Sequence, residues 1–183
     1  MKQVPVDKYN IAWFRLAEYV SRGEKERALG MYRLLSHSFD DLAFSCQLEG
    51  DILWAFNDSG AADKYCQAAQ LYQEDKRILQ AAAIYEHLIA VHPHSTLYLG
   101  CLVNLYTALQ VEHKVLVPLC ERLLFLLLAD KQAPAERIMQ HLHVTLDLLV
   151  ESDGSTALQQ CLARLEQTHS LYYQEACAYL NNK

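Results

Sequence analysis

ADKYCQAAQLYQEDKRILQAAAIYEHLIAVHP, residues 62–93, decides the fold. Its apolar and small residues recur at three- and four-residue intervals, the period of a helix with one buried face. It reads as two amphipathic helices joined by a tight turn and closed by a proline. From Ala69, a Tyr follows at three residues (Tyr72), an Ala at twelve (Ala81), a Tyr at sixteen (Tyr85) and Pro93 at twenty-four. Small side chains at such offsets let a Tyr or Leu from a neighbouring helix approach, so two axes can close to about 8–10 Å.

The same offsets recur elsewhere. Leu16, Tyr19, Ala28, Tyr32 and Leu35 follow them, with Gly23 at the turn. Gly50, Leu53, Ala62, Cys66 and Ala69 follow them again. Val103, Tyr106, Val115 and Leu119 match more loosely, and Thr145, Leu148, Ala157 and Cys161 after a short insertion. This spacing resembles the tetratricopeptide (TPR) repeat, a helix–turn–helix unit of about 34 residues that buries its apolar face only against its neighbours. The resemblance covers most of the chain, with one strong copy at 62–93, where Ala68-Ala69 replaces the family's Leu-Gly pair and its Trp is missing. Helix four fits either as the close of one unit or as the opening of the next. An α-SNAP-like array and a plain α-hairpin array or bundle are the other readings. The resemblance implies an all-α, right-handed α-hairpin solenoid forming a single domain over 1–183.

Outward from that stretch, about ten helices and no strand are expected. They fall near 7–21, 24–37, 40–57, two within 62–93, then 97–109, 113–129, 134–150, 156–167 and 170–180. Asp7 and Ser95 are the expected N-caps and Gly23 an expected C-terminal cap. Asn57-Asp-Ser-Gly60 and Glu151-Ser-Asp-Gly-Ser155 read as turns. Pro118 is harmless only in a first turn, so helix seven is expected to begin at 115–117. That helix is apolar beyond one stripe (Leu123 to Ala129) and is expected to be buried between neighbours. Helix ten, with Leu171, Tyr172, Ala176, Tyr179 and Leu180, is expected to cap the C-terminal end.

Composition limits the function. A hydrophobic share of 52% and a charged share of 21% belong to a folded protein. The net charge of −6 disfavours nucleic-acid binding and adhesion to anionic membranes, both of which require basic surface. No apolar run approaches the roughly 20 residues of a membrane span, and the N-terminus lacks the apolar core of a secretory signal. Six cysteines without a C-x-x-C pair read as free thiols of a reducing compartment, so a cytoplasmic location is expected.

Chemistry finds little footing. His141 and His143 lie two apart, and one helix presents metal ligands at three or four. One of the pair is expected at the surface and one at an interface, while His92 and His94 are expected as loop residues. Cys46, Cys66 and Cys161 sit where packing wants a small apolar side chain. No nucleophile elbow, phosphate loop or paired-carboxylate motif is present. The expectation is a non-enzyme with no cofactor and no metal. Recurrent tyrosines (Tyr19, Tyr32, Tyr72, Tyr85, Tyr106) are expected to pack in the core with the phenol reaching a polar partner.

In the TPR family the first helix of each pair lines a peptide-binding groove. The resemblance therefore places Asp63, Cys66, Gln67, Gln70, Gln73 and Asn104 at or near that groove. Apart from Asn104, the Lys/Asn/Arg clamp that some TPR domains use on a C-terminal carboxylate is missing, which disfavours chaperone-tail binding. The expected role is an adaptor holding a peptide or helix of a partner protein. The alternatives are a structural subunit using end helices or helix 115–129, and an enzyme using Cys or His.

Overall fold

The computed structural model describes residues 6–152 and 155–182. Ten helices lie among them, with no strand: α1 (Val6–Ser21), α2 (Lys25–Ser36), α3 (Leu42–Ala55), α4 (Ala61–Glu74), α5 (Ile78–Val91), α6 (Thr96–Ala108), α7 (His113–Ala129), α8 (Ala135–Glu151), α9 (Ser155–Thr168) and α10 (Ser170–Asn181). The protein is all-α, as the periodicity predicts. The side chain of Asp7, expected to cap α1, lies outside the description, as do Asp153 and Gly154 of the expected 151–155 loop.

The helix ends follow from backbone chemistry. Ser95 caps α6 as expected, its hydroxyl accepting from Tyr98 N–H at 3.3 Å, and Asp41 caps α3, accepting from Phe44 N–H at 2.9 Å. Four helices end alike, with one residue in the left-handed region and two amides turned back onto the last carbonyls. At the end of α1 the residue is Gly23 (φ 74°), which donates to Val20 C=O while Glu24 donates to Tyr19 C=O. Asn57 (φ 53°) after α3, Lys76 (φ 60°) after α4 and Gln110 (φ 52°) after α6 repeat the pattern without glycine. Each motif satisfies carbonyls that a helix end would leave unpaired.

Helix α7 departs from expectation. It begins at His113, so Pro118 falls in its second turn rather than its first. Glu112 C=O accepts from both Val115 N–H (2.9 Å) and Leu116 N–H (3.2 Å), and these bonds fix the earlier start. Pro118 thus deprives Lys114 C=O of its helical donor, while the ring itself stays exposed.

The chain forms two compact units, residues 1–88 and 89–183. In the first, α1 packs on α2, α2 on α3, and α3 on α4. Tyr65 and Tyr72 of α4 meet Asp51 and Gln47 of α3, rising numbers against falling ones, so these two helices run antiparallel. Small residues occupy the contacts: Ala28, Ala68, Ala69 and Ala81 are fully buried. In the second unit α7 packs on α6 and α8, and α10 on α8 and α9. Its core is leucine-rich, with Leu99, Leu123, Leu124, Leu127, Leu142, Leu146, Leu149 and Leu165 all buried. Each such side chain contributes about 1.5–3 kcal/mol of burial. Of the apolar run of α7, expected to be buried, Leu123, Leu124 and Leu127 are buried, Leu126 and Leu128 half-buried and Ala129 exposed. Phe125, half-buried at its edge, lies under the Arg164 guanidinium of α9 at 3.6 Å.

Candidate functional site

Helix α3 organises the first unit, because it carries polar residues where its neighbours offer phenols. Tyr32 of α2 donates to Ser45 C=O at 3.0 Å. Tyr65 donates to Asp51 Oδ1 at 2.7 Å, and Tyr72 to Gln47 Oε1 at 2.8 Å. Gly50 makes the Tyr65 contact possible: a Cβ there would lie 3.0 Å from ring atom Cδ1. Burial, together with the Asp51 carboxylate, drives the Tyr65 phenol far above its ordinary range, so it stays a neutral donor. The phenols expected to reach polar partners do so at Tyr32 and Tyr72.

With Gln47 and Asp51 held one turn apart, α3 walls two clefts. The first, between α1 and α3, encloses about 390 Å³ and is lined mainly by Trp13, Leu16, Ala17, Val20, Leu48 and Ile52. The second, among α3, α4 and α5, encloses about 290 Å³ and is lined by Gln47, Tyr65, Gln80, Ala83, Ile84 and His87. Asp51 lines both, and among the described residues no Lys or Arg lines either. The His87 ring meets Trp54 edge-on at 5.3 Å and Tyr65 at 5.1 Å. A hydrophobic slot therefore adjoins an amide- and aromatic-lined one, with a carboxylate on their shared wall.

No family model matches the chain, and no curated protein does. Among solved structures it is similar to "MamA 41-end from Desulfovibrio magneticus RS-1", at 12% identity and a TM-score of 0.37, covering 91% of this chain and 98% of that one. A likeness at that level assigns neither family nor activity.

Neither cleft is lined by the residues expected at a groove. Asp63, Gln67 and Gln70 are exposed in one stripe of α4, together with Glu74. Tyr65, Ala68 and Tyr72 point from the opposite side of that helix into the packed interior. The stripe consequently does not enter the cleft that Tyr65 lines. Gln73 is half-buried and donates from Nε2 to Ala69 C=O at 3.2 Å, and Cys66 is half-buried. Asn104 is exposed on α6, in the other unit. Asp51, Gln47 and His87, which line the polar cleft, were not among the residues singled out from the sequence. Their signal was the phase ambiguity of helix four, since closing a unit with it makes α3 and α5 the first helices of their pairs.

Other reactive groups are absorbed by packing. Cys120 and Cys161 are buried, and burial raises their thiols to about 11 and about 12. Cys161 also faces the Glu121 carboxylate, itself raised by burial. His143, half-buried, stacks on Tyr179 at 4.0 Å, and Tyr179 donates to Asp147 at 2.9 Å, fastening α10 to α8. His141 is half-buried, with burial lowering its imidazole below the ordinary range. His92 and His94 are exposed beside Pro93. Among the described residues, no group of three or more His, Cys, Asp and Glu could hold a metal ion. No described helix is long and apolar enough to cross a membrane.

Proposed function

We propose that the chain is a non-enzymatic interaction scaffold, a divergent TPR-like helical repeat domain over 1–183. It holds a peptide or helix of a partner protein against the α1–α3–α5 face. The observation that carries this reading is the pair of adjoining clefts walled by α3. Extended or helical ligands are recognised by apolar pockets at intervals with a few polar groups to fix register, and this face offers both. The Asp63–Gln67–Gln70 stripe of α4, with Gln73 beside it, is a competing surface, and Asn104 of α6 is a separate candidate.

The test is capture of a partner from the native host, identified by mass spectrometry. Ala17→Gln and Ala83→Gln fill the two clefts from exposed positions and should abolish capture with little change in melting temperature. Loss of capture in a Gln67→Ala/Gln70→Ala variant, with the cleft variants unaffected, would move the site to the stripe, and loss in Asn104→Ala alone would move it to α6. A second reading, a structural subunit docking through its end helices, is supported by Phe14 on α1 and Leu171 on α10, 77% and 64% exposed. Light scattering decides whether the chain self-associates: a concentration-independent monomeric mass rejects that version.

A further inference from the structure

Asp51 differs from three other acids of the first unit. Glu49, two residues away on α3, pairs with Lys64 at 2.9 Å, Asp41 pairs with Arg77 at 2.5 Å, and Asp58 pairs with Lys25. Asp51 has no ion pair among the described residues. Its Oδ1 accepts from Tyr65, which leaves Oδ2 for a ligand. It is exposed, and it stands on the wall common to an apolar cleft and a polar one. The polar cleft adds the amide groups of Gln80 and of Gln47, whose Oε1 also accepts from Tyr72, and the His87 ring, which Trp54 meets edge-on.

A guanidinium suits this set better than an ammonium. It is planar, presents five donors in a fork that matches a carboxylate, and stacks on aromatic faces. Resting on the scaffold reading above, we infer that the α1–α3–α5 face takes a peptide carrying an arginine within one helical turn of an apolar side chain. The arginine binds at Asp51, between the Gln47 and Gln80 amides. The apolar residue fills the slot formed by Trp13, Ala17, Val20, Leu48 and Ile52. An acidic peptide finds no Lys or Arg among the described residues of either cleft wall.

The experiment is selection of a phage-displayed library of random 12-residue peptides on the whole chain. Enriched peptides are then synthesised with a fluorophore and titrated by anisotropy. Asp51→Asn removes the charge and keeps an oxygen acceptor for Tyr65, so its melting temperature should stay close to wild type. Expected are enriched sequences pairing Arg with an apolar residue one to four positions away. Their affinity should fall about tenfold in Asp51→Asn, a loss near 1.4 kcal/mol. Wild-type affinity should also fall between 50 and 500 mM salt, since salt screens an exposed pair. The salt series reads the charge even if Asp51→Asn folds poorly. Enrichment of neutral or acidic peptides, blocked by Ala17→Gln or Ala83→Gln but indifferent to Asp51→Asn, overturns the arginine assignment and leaves the scaffold face standing. Peptides indifferent to all three substitutions, or no enrichment at all, overturn both.

Discussion

At the scale of single residues, the turn positions decide the most. Gly23, Asn57, Lys76 and Gln110 all hold positive φ to close their helices. Glycine does this freely and asparagine with little penalty, whereas a side chain with an ordinary Cβ loses roughly 1–2 kcal/mol. Lys76→Gly and Gln110→Gly should therefore each stabilise the fold by about 1 kcal/mol, read from chemical denaturation with unchanged circular dichroism. Gly23→Ala should lose a similar amount. No atom lies within 4 Å of a Cβ at Gly23, so that loss would report backbone strain alone. Pro118 offers a larger gain. It is exposed, so Pro118→Ala removes little packing and restores the donor for Lys114 C=O, a stabilisation of about 1–3 kcal/mol.

Between elements, Gly50 packs closely against Tyr65. Gly50→Ala would gain up to about 1 kcal/mol of helix propensity but must push a ring held by Asp51, a net loss of about 1–2 kcal/mol. The loss should shrink in a Tyr65→Leu background, where the ring is absent. A double-mutant cycle that proves additive would refute that packing account. The helices themselves were legible in sequence, since periodicity and caps at Ser95 and Gly23 gave most boundaries within two residues. The start of α7 was not legible, because Glu112 C=O holds the first turn through bonds that no local pattern announces. The cleft residues were legible only in part. Gln47, Asp51 and His87 carry no motif, and their convergence depends on which helices share a face. Repeat phase settles that question, and helix four left the phase open. The Gln67 and Gln70 stripe followed from the other choice of phase.

For the whole molecule, stability should respond to pH at both ends. Asp41 is held below the usual carboxylate range by the Phe44 amide and Arg77, and Asp58 by Lys25 and the Gly60 amide. Such depressed groups stabilise fully above the unfolded value of 3.8 and lose that contribution as pH falls through their lower folded values. Melting temperature should accordingly drop on acidification below about pH 4, and Asp41→Asn should flatten the drop. At the alkaline end Tyr32, Tyr65 and Tyr72 are raised above the usual 10.0, chiefly by burial. Their contribution is complete below pH 10 and fades above it. Absorbance at 295 nm should show these three phenols ionising only as the chain unfolds. The chain contains two tryptophans. Trp13 lines the apolar slot, while Trp54, 42% exposed, meets edge-on the His87 ring that lines the polar one. The protein thus carries one intrinsic fluorophore in the apolar slot and another one ring away from the polar cleft, and variants keeping one indole apiece would report, by emission wavelength alone, which of the two a ligand enters first.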